Sequence, residues 1–314
     1  MPRLANATRL RHRAGWFTKD IFPRCPGAPI LAQWVNAVFL IVVLFGLIVA
    51  GYRLICPDGV GAAAQEKPIG ASPARLSDHE LLELERMPPQ QRAERLVERS
   101  INHYRGATSL IEEKVDAWRG SLKVAGELNT LLVSALNSND LRVRAIAIEV
   151  YLAAYNVEKK PESVFGRIRM LEAGEGDAAM NLWLLGLLGN RGVEPDRTFQ
   201  TLLRYTRDNQ VRVRHWAVEG LAYLGTDATV EPLLDIFRND PSAEVRERAA
   251  CSLAQSGMLQ QPQRMKAVPA LLSQLSDRAL DSTMHQWVLQ ALQDITGKRL
   301  GDDPAAWQSW YSTR

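Results

Sequence analysis

Cysteine is scarce in this chain: Cys25, Cys56 and Cys251 are far apart and show no Cys-x-x-Cys spacing, which argues against a disulfide framework and a thiolate zinc site. The five histidines are equally scattered, and no two stand three or four residues apart, so no single helix face can chelate a metal. There is no Gly-rich phosphate loop, no Gly-x-Ser-x-Gly elbow, no His-Glu-x-x-His and no haem-attachment motif. Positive charge is also missing from most of the chain. Residues 1–53 hold seven basic side chains and one acid, leaving 31 basic against 34 acidic residues beyond them, so a nucleic-acid footprint is not expected there. Beyond residue 125 nothing alternates with a period of two, which excludes sheet structure from that half.

Apolar residues make up 46% of the composition, enough for a sizeable core. Formal charge is absent between Arg24 and Arg53, and the run Val35 to Gly51 is almost wholly aliphatic or aromatic. Trp34 and Tyr52 bracket it, about 27 Å apart on a helix, so a transmembrane helix is expected over residues 30–55 with its core at 34–52. The basic tail 1–29 precedes it, which predicts a single-pass protein with a cytoplasmic N-terminus and an exported main domain. Residues 56–75, rich in Gly, Ala and Pro, read as a flexible linker.

Ser77 and Glu80 have capping-box spacing, Pro88-Pro89 stops the helix that follows, and amphipathic segments run from Gln90 and from Ser109 to Leu122. These define an N-terminal cap over 76–124. From 125 to 299 a two-helix unit repeats. Its second helix carries Val-Arg-x-x-Ala, at Val143-Arg144, Val213-Arg214 and Val245-Arg246, with Met180 and Met284 in weaker copies; the intervals are 36, 34, 32 and 38 residues. Asp140, Asp208 and Asp240 stand in the turn before each full copy, and Gly225 and Gly257, each eleven residues after its arginine, are placed as C-caps. Gly186 to Gly192, with three glycines, reads as a turn at a helix end. Asp303-Pro304 starts a capping helix over 300–314, whose Trp307 and Trp310 plug the last repeat.

The unit resembles the HEAT repeat. The resemblance implies an all-α, right-handed α-solenoid of about five helix pairs with capping helices at both ends. It also implies a ladder in which Asp140, Asp208 and Asp240 tie to Arg144, Arg214 and Arg246, interrupted where Met180 and Met284 replace arginine and Trp183 and Trp287 replace alanine. In such arrays the second helices line the concave face. Aligning the three arginines brings Ile146, Trp216 and Arg248 into one column, Glu149, Glu219 and Cys251 into the next, and Ala153, Tyr223 and Gln255 into a third. Aromatic and arginine side chains dominate protein-binding hot spots, so Trp216, Glu219, Tyr223, Arg248 and Gln255 are the candidate partner-binding residues. The expected function is a membrane-anchored scaffold that binds a protein or peptide, without catalysis, cofactor or metal. The resemblance also leaves two alternatives: a HEAT-like bilin or tetrapyrrole lyase or chaperone, and a cell-envelope spacer.

Overall fold

In the computed structural model, which describes residues 74–314, every regular element is helical apart from one isolated bridge, Arg75 to Arg105. Ser77 caps α1 (Asp78–Arg86) by accepting from Glu80 N at 3.1 Å. The capping box is only half made, because the Glu80 carboxylate turns instead to Arg99 at 2.7 Å. Proline then separates α1 from α2 (Pro89–Ile101). The segment expected to run from Ser109 to Leu122 is shorter, α3 (Ala107–Lys114) tightening into a 3-10 turn over Val115–Trp118. The backbone leaves the helical conformation at Arg119, after buried Trp118, whose carbonyl accepts from Ser121 N at 2.9 Å.

The helix pairs follow: α4 (Gly126–Leu136) with α5 (Leu141–Ala154), α6 (Pro161–Ala173) with α7 (Ala178–Asn190), α8 (Pro195–Tyr205) with α9 (Val211–Leu224), and α10 (Val230–Asn239) with α11 (Ala243–Ala254). In the last unit the expected first helix divides into α12 (Gln261–Met265) and α13 (Val268–Leu275), because Pro269 has no amide to continue the ladder. It pairs with α14 (Ser282–Thr296). The closing helix α15 (Pro304–Ser312) is capped by Asp303 and buries Trp307 completely, with Trp307 Nε1 donating to Gly301 O at 2.9 Å.

Glycine sets two of the inter-repeat contacts. Gly186 and Gly189 lie inside α7, not in a turn, and a Cβ on Gly186 would stand 2.4 Å from the Gly220 carbonyl of α9. The two helices therefore cross backbone to backbone. Gly225 caps α9 at φ 63°, as its spacing predicts. Gly257 lies beyond the end of α11 at φ 70°, where the neighbouring Met258 N donates to Ala222 O at 2.8 Å and leaves no room for a side chain.

One expectation is corrected. Among the described residues no helix is long and apolar enough to cross a membrane. The longest, α14, has 15 residues, about 22 Å of rise against the roughly 30 Å of a hydrocarbon core. The expected membrane helix at 34–52, its basic tail and most of its linker fall outside the described residues. Over the described residues the architecture is accordingly an all-α array of helix pairs with capping helices and no membrane-spanning helix, and the single-pass, exported placement is not carried further.

Candidate functional site

Each copy of the repeated phrase does the same local work. Val143, Val213 and Val245 are buried, as are Ala147, Ala217 and Ala249, so one stripe of each second helix is core. Each arginine reaches back six residues to a carbonyl of its own turn: Arg144 Nε to Ser138 O, Arg214 Nη1 to Asp208 O at 3.0 Å, and Arg246 Nη1 to Asp240 O at 2.8 Å. The turn aspartates act first on their own turns: Asp140 is the N-cap of α5, while Asp208 and Asp240 stand two residues ahead of the N-caps Gln210 and Ser242 of α9 and α11. Asp140, Asp208 and Asp240 each accept from the backbone amide two residues on.

Between units, a buried arginine and a buried aspartate form a bidentate pair. Arg214 grips Asp240 of the next unit with two parallel bonds, 2.8 and 3.0 Å, and both residues are buried. The bonded Asp240 carboxylate raises the Arg214 pKa despite burial. Asp140 pairs with its neighbour Arg142 and with His103 across the first turn, and Arg144 goes elsewhere.

Arg144 crosses the inner face to the end of α11. Its Nη1 donates to Gln255 O at 2.8 Å and to Gly257 O. Arg264 closes the same helix end from the following unit, donating to the carbonyls of Ser252, Leu253, Ser256 and Leu259 at 2.8–3.0 Å. Both arginines spend their donors on main-chain carbonyls at the negative end of a helix dipole, where unpaired carbonyls collect. Burial, with the Arg144 charge nearby, lowers the Arg264 pKa to about 10, and burial lowers that of Arg144.

The alanine position of the second copy is filled by Trp183, whose ring meets Tyr151 edge-on at 4.9 Å, Tyr155 at 6.2 Å and Tyr223 at 6.5 Å. The two glutamates of the middle column are held by cations. Glu149 pairs with Lys159 at 2.8 Å and Arg191 at 3.0 Å, and Glu219 with Arg248 at 2.6 Å. Burial pushes the Glu219 carboxyl up against the opposing pull of Arg248. Burial, reinforced by Glu219, pushes the Tyr223 hydroxyl well up.

These positions sort the candidate residues. Glu219 is 1% exposed and Tyr223 3%, so both belong to the interior, while Trp216, Arg248 and Gln255 are half-buried at its edge. Cys251 is buried. His215, next to Trp216, lies 3.3 Å from Glu244 of α11, and burial, helped by the Arg248 charge, lowers its pKa to about 4. The residues that sequence reading missed are Arg264, Arg191 and Lys159. Arg264 acts on backbone carbonyls, which leave no sequence signal; Lys159 and Arg191 sit in turns after α5 and α7, ten and 42 residues from the glutamate they share.

Among the described residues no three His, Cys, Asp or Glu side chains are grouped to hold a metal ion. The charged groups of the inner face are instead arranged as ion pairs and carbonyl clamps. Residues 171–254, from the end of α6 to the end of α11, match the family model described as HEAT repeats, so a HEAT-repeat domain is present there. No curated protein matches the chain.

Proposed function

We propose that the helical array is a scaffold that binds a protein or peptide partner at the edge of its third and fourth units, through Trp216, Arg248 and Gln255, with Glu219 and Tyr223 as the supporting layer beneath. The observation that carries this reading is the fixing of Arg248. Its Nε lies 2.6 Å from buried Glu219, and its Nη2 donates to Ser256 Oγ, so a half-buried arginine is held in place before any partner arrives. Trp216 occupies the equivalent position on the preceding second helix. A rigid arginine and a tryptophan at adjacent repeats are the residue types from which binding hot spots are built, and prior ordering lowers the entropic cost of association.

The test is site-specific photo-crosslinking. A photoreactive residue placed at 216 or 255 should trap one discrete partner that a probe at exposed Arg238, on α10, does not, and Arg248→Ala should abolish the product while leaving the helical circular dichroism unchanged. Equal labelling from 238, or an unaltered product with Arg248→Ala, would overturn the assignment.

A further inference from the structure

Proline 88 and proline 89 turn the chain sharply after α1, and the first helix is left poorly covered. Of its nine residues only Leu84 is buried, and Leu82, at 60%, is the most exposed of the large apolar residues described. Between α1 and the α2–α3 hairpin lies a groove of about 490 Å³ floored by Leu81, Leu82, Leu84, Leu96 and Leu110. That volume falls in the range of binding clefts. A solenoid's terminal unit usually turns a polar face outward; among the described residues none covers this leucine trough.

The lining of the trough carries a net negative charge, three acids, Asp78, Glu85 and Glu113, against Arg92 and Lys114, and both cations are already engaged. The Arg92 guanidinium donates to the carbonyls of Leu84, Glu85 and Met87, capping α1. Lys114 is shared between Glu85 at 3.2 Å and Glu113 at 3.6 Å. Opposite-charge complementarity then specifies the occupant. We infer that this groove is a second docking site, for an amphipathic helix of a partner protein with a leucine-type face flanked by lysine or arginine. The seat is a strip between helices, the geometry in which one apolar helix face lies with contacts at i, i+3, i+4 and i+7.

The inference is tested on the full chain with a labelled amphipathic helix of roughly 18 residues made of Leu and Lys, and with a companion in which Glu replaces Lys. Fluorescence anisotropy should show saturable binding of the basic peptide and at least tenfold weaker binding of the acidic one. Leu82→Asp should weaken the basic peptide at least tenfold. It adds an acid to the rim, so charge alone would strengthen binding, and a loss isolates the apolar contact; the exposure of Leu82 keeps folding out of the result, and Leu82→Met should bind like the original. Glu85→Gln with Glu113→Gln frees Lys114 to oppose the peptide, and should weaken it a few-fold at low salt and not at high salt. Trp216→Ala should leave this binding unchanged, which keeps the site separate from the one on the third and fourth units. Equal affinity for both peptides, or no effect of Leu82→Asp, overturns the inference. So does concentration-dependent self-association of the chain that Leu82→Asp abolishes, since a second copy would then be the occupant.

Discussion

Arg144 Nη1 donates to the carbonyls of Gln255, at 2.8 Å, and Gly257, so a side chain on α5 fastens the end of α11, 111 residues further along. Stacked repeats ordinarily touch only their neighbours. Here the first unit reaches the fourth, and the inner face is closed at that point. The same guanidinium also holds Ser138 O in its own turn, so one planar fork sets both the local turn and the long-range closure.

Replacing Arg144 with Ala should destabilise the domain by about 3 kcal/mol, because it removes several charge-assisted bonds from buried carbonyls. Arg144→Lys should recover less than half, since an ammonium on a flexible stem cannot span Ser138 O and the α11 end together. Urea unfolding gives the size of the effect. Hydrogen exchange gives its place: amides from Ala254 to Met258 should lose protection while those of α1 do not change, and uniform loss along the array would refute the closure.

The crossing of α7 and α9 predicts opposite signs for one chemical change. Gly186→Ala puts a methyl group where the Gly220 carbonyl would stand 2.4 Å away, so the helices must part, at about 3 kcal/mol. Gly166→Ala, in α6, meets nothing closer than Arg169 at 3.9 Å and should stabilise by about 0.5–1 kcal/mol, the helical advantage of alanine. Thermal unfolding of the two variants side by side checks both.

These contacts also mark what the sequence makes legible. The repeat period, the turn aspartates and the buried Val and Ala stripe are local, and residues a few positions apart encode them. The register places Trp216, Glu219 and Tyr223 on one helix, but curvature decides what that face meets, and curvature is set by summed packing between units. It brings α5 to the end of α11 and leaves Glu219 and Tyr223 inside. Gly186 looks like a turn because two more glycines follow it; its actual role depends on Gly220, in another unit. Arg264 is invisible for the same reason that it is effective, its partners being main-chain carbonyls.

The Arg214–Asp240 rung and the Arg212–Asp177 pair have the same chemistry in different surroundings. Arg212 and Asp177 are 57% and 36% exposed, and Arg212→Ala should cost under about 1 kcal/mol. Asp240→Ala strands a buried guanidinium and should cost about 4 kcal/mol. The double variant Arg214→Met with Asp240→Leu removes both charges and should be more stable than Asp240→Ala alone, as measured by denaturant unfolding. A double variant no better than the single one would mean that the Arg214 bonds to the Asp208 and Asn209 carbonyls, kept in the single variant and lost in the double, outweigh the relief of the stranded charge.

His215 and Glu219, one helical turn apart on α9, give stability opposite dependences on pH. The groups facing His215 are Glu244, 3.3 Å away and 67% exposed, and Arg248, whose charge adds to the effect of burial. With a folded pKa of about 4 against 6.5, the histidine stays neutral in the fold while the unfolded chain takes up a proton, so its contribution is complete above pH 6.5 and is lost as pH falls towards 4. Glu219 shifts the other way: its raised pKa makes the folded state hold the proton longer, so its contribution is present below about 4.5 and declines as pH rises. In the native chain the two slopes offset each other. His215→Gln should therefore unmask a stability that falls from pH 4.5 upward, and Glu219→Gln one that rises from pH 4 to 6.5. The rise should be about 1–2 kcal/mol, since a quarter of the His215 side chain is exposed and screened. Glu219→Gln also strands Arg248 and lowers stability at every pH, so the slope across a pH series of urea titrations, not the absolute value, decides the outcome. Parallel slopes in the two variants would assign the titration to other groups.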